Sequence, residues 1–420
     1  MRLCRPFRVP PCAFAAAVAV ALLIAPRADA QPTLPTSDAP TTAAPPAKTS
    51  PSPASKPKSK RKPKPKKATD PLERASEDIG PAITDVREAA LDPSFGFVGE
   101  YEGSVQPTGS WRSTTPAALH VNAIGADGLT GVYLPGRLPG HVAAADNGEQ
   151  LRGRRFGRTA ALTGGAYDIV LRSPGPEATA EVRTIDGDVI GTLRKVERPS
   201  PTLGMAPPPG AIRLFDGQST ERFAGGSITP EGWLAAGTET AEPWDDFRLH
   251  VEFRLPYKPN AVGQHRGNSG VYLQSRYELQ VLDSFGFVPA FNDIGSLYRT
   301  LRPERIAARP PLQWQTYDID FRSPQFDALG RKTQPARLRV WLNGVPVHSG
   351  VAVPSKTGAG QPEADFPLPT KFQDHRNPVV FRNIWLLPRG TAAAFGPPAS
   401  AGTVPPVPVA PPMAMKPVLD

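Results

Sequence analysis

Short runs of alternating apolar and polar residues dominate the chain from residue 95 to about residue 387. In 247–255, Phe247, Leu249, Val251 and Phe253 alternate with Arg248, His250, Glu252 and Arg254. In 277–282, Tyr277, Leu279 and Val281 oppose Glu278 and Gln280. Residues 314–321 set Gln315, Tyr317, Ile319 and Phe321 against Trp314, Thr316, Asp318 and Asp320. Residues 336–342 set Leu338, Val340 and Leu342 against Arg337, Arg339 and Trp341. A period of two places side chains on alternate faces of a strand. Further runs at 270–274 and 379–386 are separated by turn residues, with no helical pattern beyond two turns. Roughly 180 residues of strands without helices predict an all-β, two-sheet sandwich or jelly roll.

A smaller set of runs occupies 95–198: GEYEGSV, ALHVNAIG, LTGVYLPG, YDIVLR, TAEVRTI and VIGTLRKV. Gly, Pro, Asn and Asp bound them, and Asp186-Gly187 is a hairpin signal, so a small sandwich or open barrel is expected. It contains no catalytic cluster. Trp111, Tyr133 and Tyr167 could stack on a ligand, although such rings more often fill cores. Upstream, Ile79, Ile83, Val86 and Ala90 recur at helical spacing and predict a short amphipathic helix within 71–92.

Composition divides the rest. The 53 prolines concentrate in 31–71, 199–209 and 397–417, which reads as linkers and a tail. Arg2, Arg5 and Arg8, the apolar run 14–24 and Ala28-Asp29-Ala30 read as a secretory signal, so the mature chain is expected outside the cytoplasm, secreted or periplasmic, with an uncleaved membrane anchor as the alternative. The predicted order is signal (1–30), disordered Pro/Lys-rich linker (31–70), short helical segment (71–92), small β domain (93–199), jelly roll (208–389) and disordered Ala/Pro-rich tail (390–420). Both cysteines, Cys4 and Cys12, fall in the signal, which excludes disulfides and Cys-ligated zinc from the mature chain. The formal charge of +9 is also local. The signal carries +3 and 31–70 carries +7, leaving −1 for everything else. Nothing in the folded part then calls for nucleic acid. Lys56–Lys67, with eight positive charges, could hold an anionic envelope polymer, or act only as a self-repelling spacer.

The polar faces carry the candidate chemistry. A solvated surface is the commoner fate of any one of these residues. Together, though, the carboxylates, guanidiniums, imidazole and indole, with loops 266–269 and 373–377, suit a sugar groove. Sugar rings stack on aromatics, and their hydroxyls need paired donors and acceptors. Glu278-Leu279-Gln280-Val281-Leu282-Asp283 has the spacing of the E-x-D-x-x-E strand of laminarinase-like glucanases, but Gln280 replaces the middle acid. Asp283 would reach the groove only through a bulge near Leu282. An ordinary retaining glycosidase, which needs two carboxyls about 5 Å apart, is thus a weak reading.

RLFDGQST, RGNSGVYLQSRYELQVLDS, WQTYDIDFRSPQFD, ARLRVWLNGVPV and FQDHRNPVVFRNIWL resemble the 3-keto-disaccharide hydrolase family, also described as 3-keto-glucoside lyases and 3-keto-glucal hydratases. The similarity covers about 210–387. GEYEG and VYLPGRLPG resemble an accessory β domain that precedes this family in some bacteria. The resemblance implies a concanavalin A-like jelly roll cleaving glycosides whose sugar bears a 3-ketone. The ketone acidifies the neighbouring C–H, so a base can remove that proton, the glycosidic oxygen can leave, and water can add. By motif position Glu278 is the expected base and Glu252 or His375 the expected acid. Arg266, Asn268, Gln280, Asp283, Trp341 and Arg382 are the expected substrate contacts. No cofactor is implied, while His250, His265 and His375 with the acids leave a divalent ion open. Ile294 and Arg376 depart from the family pattern and put the substrate in question. The rival readings are a non-catalytic lectin-like envelope protein and the ordinary glycosidase.

Overall fold

The computed structural model describes residues 80–107, 113–141 and 148–389. The expected signal, the linker with Lys56–Lys67, Trp111 and the tail lie outside them. Among the described residues no helix is long and apolar enough to cross a membrane.

Among the described residues the helix expected within 71–92 is present as α1 (Val86–Ala89). Asp85 caps it by accepting from the Arg87 and Glu88 amides, which starts the helix there, and Asp92-Pro93 prevents its continuation. Ile83, expected on the helix, instead forms a β-bridge with Tyr257.

Eight strands follow: β1 (Gly99–Val105), β2 (Thr115–Ile124), β3 (Gly128–Leu134), β4 (Glu149–Phe156), β5 (Thr159–Thr163), β6 (Asp168–Arg172), β7 (Thr179–Arg183) and β8 (Val189–Val196). Each pairs antiparallel with its neighbour, and β8 closes on β1. The domain is therefore a closed barrel, not a sandwich or open barrel, and closure removes its free edges. Tyr101, Leu119, Leu151, Leu162, Leu171 and Leu193 belong to its packed core. Tyr133 is in that core too and packs on Tyr167 at 5.0 Å, so these rings fill space.

The second domain contains β9 (Ile212–Phe215), β10 (Phe223–Ala224), β11 (Leu234–Ala235), β12 (Thr238–Thr240), β13 (Phe247–Arg254), β14 (Ser269–Leu273) and β15 (Tyr277–Val281). It continues with β16 (Trp314–Arg322), β17 (Gln325–Phe326), β18 (Lys332–Gln334), β19 (Ala336–Leu342), β20 (Val345–Val353), β21 (Lys371–Phe372) and β22 (Val380–Pro388). A small sheet runs β10-β12-β21-β14-β15. A large one runs β11-β22-β13-β16-β19-β20, with β9 on β22. This is the expected all-β jelly-roll sandwich. The alternating apolar residues meet between the sheets: Phe247 to Phe253, Tyr317 to Phe321 and Leu338 to Leu342 from the large sheet, Val271, Tyr277, Leu279 and Val281 from the small one. The Tyr317 hydroxyl crosses the core, donating to Gln280 O at 2.5 Å and accepting from Gly295 N at 2.8 Å.

Two connections matter for the site. Residues 200–205, in the Pro-rich stretch read as a linker, lie as a strap on the outer face of the large sheet. Ser200 and Thr202 bond the Thr316 hydroxyl at 2.6 and 2.7 Å, and Gly204 N donates to Glu252 at 2.5 Å. The barrel, in turn, is joined to the sandwich by buried polar contacts. Asn122 donates to Asp283 and to Phe285 O, both at 3.0 Å, and Arg309 donates to Glu100 at 2.6 Å.

Candidate active site

The sandwich has two outer faces, and the structure distributes the expected site residues between them. Antiparallel register aligns Tyr272 with Glu278, and Lys371 with Tyr272. Glu239 is aligned with Lys371 in the next strand. Glu278, Tyr272, Lys371 and Glu239 thus form one cross-strand row on the outer face of the small sheet. The adjacent row holds Gln280, Gly270 and Gln373, the last joined by Gln373 N to Gly270 O at 2.9 Å. A depression of about 410 Å³ adjoins these rows, lined by Gly237, Thr238, Glu239, Lys371 and Asp374.

Glu278 is only 3% exposed. Residues 357–361 lie over this end of the sheet because the β14–β15 hairpin holds them. Glu278 N donates to the Thr357 hydroxyl at 2.6 Å, and Thr357 N donates to Arg276 O at 3.0 Å. Burial pushes the Glu278 carboxyl up to about 7, against the hydrogen bond from Tyr272 and the nearby Lys371 ammonium. The Tyr272 hydroxyl is raised as well, by burial and then by the Glu278 charge, and so stays protonated as a donor. Two buried amide oxygens beside them, Gln280 Oε1 and Gln373 Oε1, have no hydrogen-bond partner. Buried acceptors without partners are costly, and substrate hydroxyls would satisfy them. Gln280 Nε2 is occupied by Asn268 Oδ1 and Gln264 Oε1, each at 3.0 Å, which fixes the direction of the free oxygen.

Gly270 is a close-approach position. A Cβ there would lie 2.9 Å from Glu278 Oε1 and 3.2 Å from Gln373 Oε1. Gly270→Ala should displace the carboxylate and lower kcat/KM by ~10- to 100-fold, because a shift of about 1 Å is costly in catalysis. The thermal midpoint should change little. An alanine enzyme with unaltered kcat/KM would remove Glu278 from the chemistry.

Of the expected residues, Glu278, Gln280 and Asn268 come together here. His375 lies exposed in the loop after Gln373, with no hydrogen bond to Glu278. Glu252 and Arg382 face each other on the large sheet, where Trp341 pairs with Asp318, and the core separates its outer face from Glu278. Glu252 is bound there by Arg382 at 2.7 Å, Asn383 at 2.8 Å and the strap. Burial opposes its charge, but His250, Asn383, Arg382 and Gly204 N–H overcome that and hold the carboxyl down at about 2. A carboxylate so held is a poor proton donor, and Glu252 is corrected from acid to structural anion. Arg382 lies over Trp314 at 4.0 Å and belongs to the same network.

Arg266 and Asp283 are also corrected. They pair at 2.6 Å, buried at the junction with the barrel, where Arg266 also donates to Ala123 O. Asp283 turns to the barrel's Asn122, and no bulge returns it to the groove. Tyr272, Lys371 and Glu239 were missed, and Gln373 was expected only as part of loop 373–377. The alternation of Tyr272 with Val271 and Leu273 was a readable signal for the first; the others needed strand order. Among the described residues no group of three or more His, Cys, Asp or Glu is placed to hold a metal ion.

Residues 210–387 match the family model described as 3-keto-alpha-glucoside-1,2-lyase-like domain. The match spans the sandwich and not the barrel. Three crystal structures from Parabacteroides distasonis ATCC 8503, each solved as a candidate glycosyl hydrolase, are similar to part of the chain. One is 29% identical with a TM-score of 0.41, covering 43% of this chain and 85% of its own. The second is 18% identical with a TM-score of 0.33, covering 43% and 94%. The third is 19% identical with a TM-score of 0.30, covering 43% and 99%. No curated protein matches the chain. The match points to a carbohydrate-processing domain over those residues.

Proposed function

We propose that the small-sheet site cleaves glycosides bearing a 3-ketone by elimination, outside the cytoplasm, with Glu278 as the base. The observation that carries this reading is the buried Glu278 carboxyl, pushed up to about 7, with no second carboxylate beside it in its cross-strand row. In the row through Glu278, the next carboxylate is Glu239, three strands away, or roughly 14 Å at ~4.8 Å per strand. Retaining hydrolysis wants carboxyls about 5 Å apart and inverting hydrolysis about 6.5–9.5 Å. A lone base suits elimination instead. Glu278 takes the proton from the carbon beside the ketone. The electron pair forms the new double bond, and the glycosidic oxygen leaves as an alcohol after taking a proton. The enone then accepts water. Tyr272 is the donor nearest the base, and the Lys371 ammonium next in the row favours the developing enolate charge. Gln280 and Gln373 accept from sugar hydroxyls.

The test is product release by the full chain from 3-keto-sucrose, 3-keto-lactose and 3-keto-trehalose, beside the unoxidised disaccharides, with and without chelator. Turnover confined to the keto sugars is expected. Binding without turnover would favour the lectin-like reading, and equal cleavage of the unoxidised sugars would favour an ordinary glycosidase.

A further inference from the structure

A cavity of about 730 Å³, larger than the depression beside Glu278, opens at one rim of the barrel. Its walls come from the start of β1, the end of β8, the turns at 157–158 and 174–176, the segment 86–96, and Pro310 to Gln313 of the sandwich. Ligand sites commonly have this size and sit where domains meet. We propose that this rim cavity binds an amphipathic carboxylate: an apolar body against Phe95, Val98 and Leu312, and the carboxylate against the Lys195 ammonium.

The lining is mostly apolar, with Val86, Ala90 and several prolines beside those residues. Packed side chains fill the barrel interior below, so a ligand would lie at the rim and not inside. Lys195 is only partly exposed and makes one hydrogen bond, to Gly96 O at 3.0 Å. An ammonium has three donors, so two remain for a ligand. Gly99 leaves room for the lysine stem, since a Cβ there would lie 2.5 Å from Lys195 Cε. Arg158 adds positive charge from the 157–158 turn. Two acids share the cavity. Asp92 is engaged by the Tyr257 hydroxyl and by Ser94 N, and Glu197 is exposed at the edge. Burial pushes the Lys195 ammonium down to about 8, with Glu197 opposing, so a carboxylate partner would recover charge stabilisation that burial removes.

The experiment is calorimetric titration of the full chain at pH 7 with octanoate, octanol and octylammonium. One saturable octanoate site is expected, at least ~10-fold tighter than either of the others, as a charge-assisted pair is worth about that factor. Lys195→Met should bring octanoate down to the octanol level and leave octanol unchanged, while Lys195→Arg should keep the preference. Raising the pH from 7 through 8 and beyond should weaken octanoate alone, because the lysine loses its proton. Turnover at the Glu278 site should be the same in all variants, so this site stands or falls apart from the proposed activity. Non-saturable binding, equal affinity for octanol, or an unaffected methionine variant would each overturn the proposal. If the methionine variant fails to fold, the three-ligand comparison and the pH series on the unaltered protein decide.

Discussion

Glu278→Gln should lower kcat/KM on a 3-keto-glycoside by roughly 10³-fold, within the range a positioned general base contributes. The pH dependence should carry the same signature. The base works only when ionised, and burial pushes Glu278 up to about 7, so kcat/KM should rise with pH through about 7 and then level off. Stability should run the other way. Between its ordinary value of 4.5 and about 7, the folded chain holds the Glu278 proton more tightly than the unfolded chain. The folded state therefore loses stability as pH rises through that window. Gln has no charge to bury, so the variant should melt higher than the parent at pH 8 and equal it near pH 4.5. An inactive variant that melts lower at every pH would mean that Glu278 holds structure; an active one would end its assignment as base.

The same residue marks how far sequence alone reaches. Alternation told which side of each strand faces the core: Leu279 and Val281 go in, Glu278 and Gln280 go out, as found. It could not tell which of two outer faces a strand presents. Glu252 and Glu278 have the same local pattern, yet their strands are in different sheets with the core between them. Tyr272 reaches Glu278 through the local β14–β15 hairpin, but Lys371 does so only through the order β12-β21-β14-β15, whose pairings span about 100 residues for β14–β21 and more than 130 for β12–β21. Covering segments were equally hidden. The strap at 200–205 reads as a Pro-rich spacer, but it closes the polar face around His250, whose ring bonds Asp318 at 2.9 Å. That face is polar because it is covered by hydrogen-bonding chain, and a sugar is not needed to explain it.

Arg266 and Asp283 extend this point to a whole neighbouring domain, and they give the second large effect. In a groove they would govern substrate affinity; at the barrel junction they govern folding. Asp283→Ala should destabilise the chain by about 3 kcal/mol or more, the usual cost of leaving a buried charge unpaired. Arg266 would keep its carbonyl partners, Ala123 O, Ala261 O and Asp283 O among them, but lose the Asp283 carboxylate. Asn122 would lose its link across the junction as well. Asp283→Asn should cost less, because the amide oxygen can still accept while the charge is gone. Denaturant unfolding measures both, with KM on the intact fraction as the comparison. A loosened junction with KM within about two-fold of the parent, well under the ~1.4 kcal/mol that a tenfold change requires, fits a structural pair. An alanine variant of parental stability and sharply raised KM would instead return Asp283 to the sugar site.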